Sequence, residues 1–167
     1  MRKGFTLIEL LLYIAISSFM LLVIFVFISQ ILEVRAKSQA ISEVEQQGAW
    51  AVNVISQAIR NSVNPITSPT AGNNASSLTI PMTDGAKNPT VFNLSSGAIT
   101  ISEAGGPSTS LTNQNVTVSS LVFYNLTRSG TKGNIKFSFV ITYNNQSLSR
   151  YEFNHSKTFY GTASVRY

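Results

Sequence analysis

At 167 residues, 44% of them hydrophobic and only 11% charged, the chain has room for one long apolar segment and one small domain of about 100 residues. It has no cysteine and a single histidine, which excludes disulfides and Cys-type metal sites and leaves no set of nucleophile, base and oxyanion donors for an enzyme. The formal charge of +5 falls to +3 once Arg2 and Lys3 are set aside, too weak a bias to imply nucleic acid by itself, and no cofactor is expected.

The first element is an apolar run. Of the 28 residues from Phe5 to Leu32, the polar ones are Thr6, Glu9, Ser17, Ser18, Ser29 and Gln30. About 20 apolar residues in helix cross a ~30 Å hydrocarbon layer, so this stretch suffices. A cleavable secretory signal has a shorter core that ends at small residues, and no such break separates Leu10 from Leu32. Arg2 and Lys3 form a cytoplasmic flank, which places the rest of the chain outside the cytoplasm of a single-pass membrane protein. Glu9 is the anomaly. A carboxylate one or two turns inside a membrane helix costs a few kcal/mol and reads as a group with a partner.

The helix continues beyond the membrane. No Gly or Pro interrupts Phe5–Gln47, and helix formers extend to about Asn61. Ile41, Val44, Gly48, Ala51, Val52, Ile55, Ile59 and Val63 recur at threes and fours, one face of an amphipathic helix, with Trp50 and Val54 at its margin. A single rod of ~57 residues is expected, on the order of 85 Å long, ended by Asn64-Pro65 because the residue before proline leaves the α region.

After Pro65 the chain turns to Ser/Thr/Asn/Gly loops and short alternating runs. Ser77–Met82, Thr90–Leu94 and Ala98–Ser102 read as strands, the last two joined by a turn at Ser95-Ser96-Gly97. Val116–Tyr124 is a longer strand whose apolar phase slips at Ser119-Ser120, the sign of a bulge. Ile135, Phe137, Phe139, Ile141 and Tyr143 alternate with polar residues as a half-buried strand. Asn144-Asn145 suits a turn into a strand at about Leu148–Asn154, and Ala163–Tyr167 reads as an edge strand. Gly105-Gly106-Pro107 and Ser129–Gly133 read as exposed loops. The fold class is α+β: a long amino-terminal helix, membrane-spanning in its first half and amphipathic in its second, packed on a carboxy-terminal antiparallel sheet domain.

The residues Gly4-Phe5-Thr6-Leu7-Ile8-Glu9-Leu10, directly after Met1-Arg2-Lys3, carry a closer message. A short basic leader, a glycine, an apolar residue and an acid five positions past the glycine resemble the type IV pilins and the pseudopilins of type II secretion and DNA-uptake machines. The resemblance is specific over residues 1–30. It implies cleavage after Gly4 by a membrane-embedded prepilin peptidase, with methylation of Phe5 as the new terminus. It also implies assembly in which Glu9 pairs with the amino group of Phe5 on a neighbouring subunit. The expected organisation is residues 1–4 leader, 5–32 transmembrane and filament-core helix, 33–63 amphipathic helix and 64–167 β-rich head. The implied partners are the peptidase, other pilin or pseudopilin subunits, the inner-membrane assembly platform and, before assembly, membrane lipid. The destination is an extracellular or periplasmic filament. Major pilins commonly carry a proline near the middle of the membrane segment, expected here at about Val26. None occurs before Pro65, which fits a minor pilin or pseudopilin. The rival readings are a secretion or competence pseudopilin and, from another class, an unassembled membrane-anchored β-domain binding module. For Glu9 alone, the bland reading is an interfacial acid snorkelling to the cytoplasmic face.

Other signals are weaker. Asn74, Asn93, Asn115, Asn125, Asn145 and Asn154 stand in Asn-x-Ser/Thr sequences, but 14 asparagines in a Ser/Thr-rich chain account for most of these by composition. His155 reads as a strand-end histidine, and Asp84, Glu103 and Glu152 are too few and too scattered for a calcium site. Arg128, Lys132 and Lys136 flank the Ser129–Gly133 loop and could touch DNA phosphates or a surface, although a solvated hairpin tip is the stronger reading.

Overall fold

The computed structural model describes residues 6–144 and 155–166. It divides into two compact units, residues 1–39 and 40–167, and helix α1 (Leu7–Asn61) contributes residues to both. In the first unit α1 is apolar on every side, and its large side chains from Leu7 to Leu32 are exposed. The membrane-length window is 0% buried, so among the described residues nothing covers this surface. Ser18 Oγ and Ser29 Oγ donate back to the carbonyls of Ala15 (2.9 Å) and Phe25 (2.6 Å), which satisfies both hydroxyls where lipid offers no acceptor.

In the second unit the helix buries one stripe: Ala40, Val44, Gly48, Ala51, Ile55 and Ile59. Ile41, Val52 and Val63 lie half-buried at its border. Trp50 departs from the expected margin. It is 56% exposed, because its position in the helical repeat carries it to the polar face with Gln46 and Asn53. The helix ends at Asn61; the Oγ of the following Ser62 donates to the Ile59 carbonyl at 2.7 Å, and the next residue is tied down by Val63 N donating to Pro81 O at 3.0 Å.

The strands are β1 (Asn74–Ala75), β2 (Leu78–Ile80), β3 (Thr90–Ser95), β4 (Ala98–Glu103), β5 (Thr109–Ser110), β6 (Val116–Asn125), β7 (Asn134–Tyr143) and β8 (Ser156–Ser164). Among the described residues they form two four-stranded sheets rather than one, in the orders β1-β6-β7-β8 and β2-β3-β4-β5, and every pairing is antiparallel. One core joins helix and sheets, built on Phe92, Phe123, Phe137, Phe139, Ile55, Ile59, Leu78 and Ile99, all fully buried.

The expected hairpin turns at Ser96-Gly97, both with positive φ (50° and 74°), the geometry that matches strand twist in a two-residue turn. The expected bulge is also present. Four residues from Ser119 to Val122 oppose three from Val140 to Ser138, and Ser120 takes φ 54°. That extra residue is what lets Val116 and Val118, and then Leu121 and Phe123, all face the core.

Three expectations need correction. The last strand is Ser156–Ser164, not Ala163–Tyr167, because the β7 register draws Ser156-Lys157-Thr158 into the ladder although they are polar and exposed. The short strands β1 and β5 carry no apolar alternation and escape a periodicity reading. Gly133 is not part of an exposed tip: it is buried, its N–H donates to Asn64 Oδ1 at 3.0 Å, and a β-carbon there would come within 2.7 Å of Ile66 Cδ1. The expected strand at Leu148–Asn154 lies outside the described residues.

Candidate functional site

The amino-terminal segment is the first candidate. Gly4 and Phe5 lie outside the described residues. Thr6 immediately precedes α1, and Glu9 is the third helical residue. Thr6 N and Thr6 Oγ1 each donate to Glu9 Oε2 at 3.4 Å, and Glu9 N donates to Thr6 Oγ1 at 3.4 Å. This reciprocal pattern is a capping box, in which the two side chains satisfy backbone donors that the first helical turn leaves orphaned. The acid also complements the positive end of the helix dipole. The sequence signal is Thr6-Leu7-Ile8-Glu9 before an apolar run, and treating Glu9 only as a misplaced charge passes it over.

The cap does not exhaust the carboxylate. Two oxygens accept about four hydrogen bonds, and Thr6 supplies two long ones. Glu9 is exposed, with the apolar side chains of Leu7, Ile8, Leu10 and Leu12 exposed around it. In lipid or in a bundle of such helices the ring of hydrocarbon would lower the local dielectric around the acid. A cationic donor from outside the chain is then the group that best offsets its desolvation.

The second candidate is the group Arg128, Lys132 and Lys136. The loop after β6 is built on Asn125, which is 3% exposed, donates from Nδ2 to Pro69 O at 2.7 Å and accepts from Thr127 N at 3.0 Å. Asn125 is thus a structural asparagine within its Asn-Leu-Thr sequence. Thr131 Oγ1 donates to Arg128 O at 2.8 Å and accepts from Arg128 N at 3.2 Å, closing the tip. Lys132 Nζ donates to the Arg166 carbonyl, while Lys136 lies on β7 directly opposite Tyr124 of β6. All three cations are exposed. His155 precedes β8 and its carbonyl accepts from Tyr143 N at 2.8 Å, a strand-end role.

Comparison with known proteins bears on the first candidate. The family model described as the prokaryotic N-terminal methylation motif matches residues 1–25. No curated protein and no solved structure matches the chain. The match covers Gly4, Phe5, Thr6 and Glu9 and the first part of the exposed apolar helix, which together suit a membrane-anchored protein. The amino-terminal segment thus carries the prokaryotic N-terminal methylation motif ahead of a long apolar helix, which supports a type IV pilin-like or pseudopilin protein.

Proposed function

We propose that the protein is a minor pilin-like structural subunit of a type IV pilus or pseudopilus. It is made as a single-pass membrane protein with its amino terminus in the cytoplasm and its β-rich head outside. Prepilin peptidase cleaves it after Gly4 and methylates Phe5, and the helix then leaves the membrane for a filament. The observation that carries this reading is the conjunction of the methylation motif at residues 1–25 with a helix whose large apolar side chains from Leu7 to Leu32 are left exposed among the described residues. Covering some twenty such side chains is worth on the order of tens of kcal/mol, whether lipid or neighbouring helices supply the cover. An exchange between the two is therefore affordable to the chain.

Glu9 gives the exchange its register. Once cleavage frees the amino group of Phe5, the acid of one subunit and the amine of the next form a pair that a low-dielectric helix bundle both demands and strengthens. The uninterrupted run of α1 from Leu7 to Asn61 supports a minor rather than a bulk subunit, because no proline offers a place for the helix to melt. The test is incorporation. Wild-type protein should be recovered in sheared filaments with partner pilins, and Glu9→Ala should reach the membrane at matched levels yet be missing from the filament fraction. Absence of the wild type from filaments in cells that assemble them would overturn the proposal and leave a tethered binding module.

A further inference from the structure

The outer face of the sheet β1-β6-β7-β8, the side turned away from the aromatic core, carries a row of exposed side chains far in sequence from the amino-terminal motif. Tyr160 of β8 pairs with Ser138 of β7, which pairs with Val122 of β6. One row along, Thr162 pairs with Lys136, which pairs with Tyr124, which pairs with Asn74 of β1. Their inward neighbours Phe123, Phe137 and Phe139 are buried, so alternation turns Tyr160, Lys136 and Tyr124 to the open side. Tyr160 is 68% and Tyr124 37% exposed. Beyond this row a groove lined by Leu126, Arg128, Lys132, Asn134 and Ser164 opens at the end of the same strands. From the Tyr160 row to the Leu126 end is four residues of strand, about 13 Å.

Charge sorts with this face. Of the twelve Lys and Arg residues in the chain, six lie after residue 103, where Glu152 is the lone acid. Among the described residues of the sheet and its loops, no carboxylate shares the face with Arg128, Lys132 and Lys136. Two solvent-facing aromatic rings flanking a lysine, with a cationic groove at the end, make a stacking platform beside a backbone-tracking channel.

The geometry points to this face as a binding site for single-stranded nucleic acid. Bases stack on Tyr160 and Tyr124, Lys136 lies between them for a phosphate, and the strand leads toward Arg128 and Lys132. A duplex hides its base faces and gains nothing from the tyrosines. A second copy of the chain is disfavoured, since two such faces brought together would oppose like charges. The apolar content (Tyr160, Tyr124, Leu126 and the half-buried Val122) is broken up by Ser, Thr and Lys and is too small for a lipid surface.

The test uses the full chain in detergent micelles and fluorescence anisotropy with a labelled oligodeoxythymidine of about 15 nucleotides. Tyr160→Ala and Tyr124→Ala should each weaken binding roughly tenfold, with Tyr160→Phe close to wild type. Lys136→Gln should lower the slope of log affinity against log salt by about 0.7. Both tyrosines are exposed, so far-UV circular dichroism of the variants should be unchanged. No binding of the oligonucleotide would overturn the proposal. So would binding insensitive to the tyrosines, or equally tight binding of a same-length duplex or of dextran sulfate, a polyanion without bases.

Discussion

Phe159 lies against the backbone of Gly48: a β-carbon on that glycine would fall 2.1 Å from the ring's Cζ. The ring is held from its other side, stacked on Phe139 at 5.7 Å between centroids, with Lys157 Nζ 5.4 Å from its centroid. Helix and edge strand approach at this point because neither residue leaves room for anything else.

Gly48→Ala should therefore destabilise the head by about 1–3 kcal/mol, even though alanine is the better helix former. Thermal unfolding of the full chain in detergent, followed by near-UV circular dichroism, measures it. Adding Phe159→Leu should recover part of the loss, since two residues in contact couple in a double-mutant cycle. Strictly additive effects would show that the contact does not hold the helix to the sheet.

Two polar contacts of the head should behave oppositely. Lys157 meets Glu45 at 2.5 Å, but both side chains are 45% exposed, so Lys157→Ala should cost less than about 1 kcal/mol and less still in salt. Asn125→Ala strips partners from the Pro69 carbonyl and the Thr127 N–H in a buried site and should cost about 1–3 kcal/mol for each group left unsatisfied. Denaturant midpoints at two salt concentrations separate the cases.

The stripe Val44, Gly48, Ala51, Ile55 and Ile59 supplies one wall of the head's core. A fragment of residues 37–167 should be soluble, with mixed helix and strand signals, whereas residues 64–167 alone should expose the sheet face beneath that stripe and aggregate. A monomeric, cooperatively unfolding 64–167 fragment would mean that the helix is no part of the core.

Much of this was legible in the residues. The helix was readable because fifty-five residues hold no proline and no glycine save Gly48 and their second half keeps one period, β6 by its apolar phase at Val116, Val118, Leu121 and Phe123, and β7 because Ile135, Phe137, Phe139 and Ile141 alternate with Lys136, Ser138 and Thr142. The division into two sheets was not readable. It depends on which strands pair, and β1 and β5, two residues each, carry no pattern of their own. Gly161 weakened the signal of β8. Phe137, its partner across the ladder, fills the space a side chain would occupy, with Cζ 2.1 Å from where a β-carbon would be. Trp50 reads as a margin residue of the buried face by its spacing, but its angle on the helix leaves it exposed. At the amino terminus the sequence presented Glu9 as a charge in need of a partner, and the local partner, Thr6, three residues earlier, was signalled by the Thr-x-x-Glu spacing but passed over until the geometry showed the bonds.

The capping box and the intersubunit pair make different demands on Glu9. A cap accepts glutamine as readily as glutamate, whereas an ion pair needs the charge. Glu9→Gln should therefore keep helix content and membrane insertion at wild-type levels yet enter filaments as poorly as Glu9→Ala. Thr6→Ala, which removes the cap and spares the charge, should fray the first turn at a cost of about 1 kcal/mol and leave incorporation largely intact. Normal incorporation of Glu9→Gln would assign the acid to capping alone.

The central claim is that this chain is a substrate of prepilin peptidase, and the mass of its mature amino-terminal peptide tests it most directly. In cells with an active peptidase the account predicts a peptide that begins at Phe5 and carries an added methyl group on its amino nitrogen. Gly4→Val, by obstructing the scissile bond, should leave residues 1–4 attached. A wild-type protein that still begins at Met1 in those cells would contradict the account.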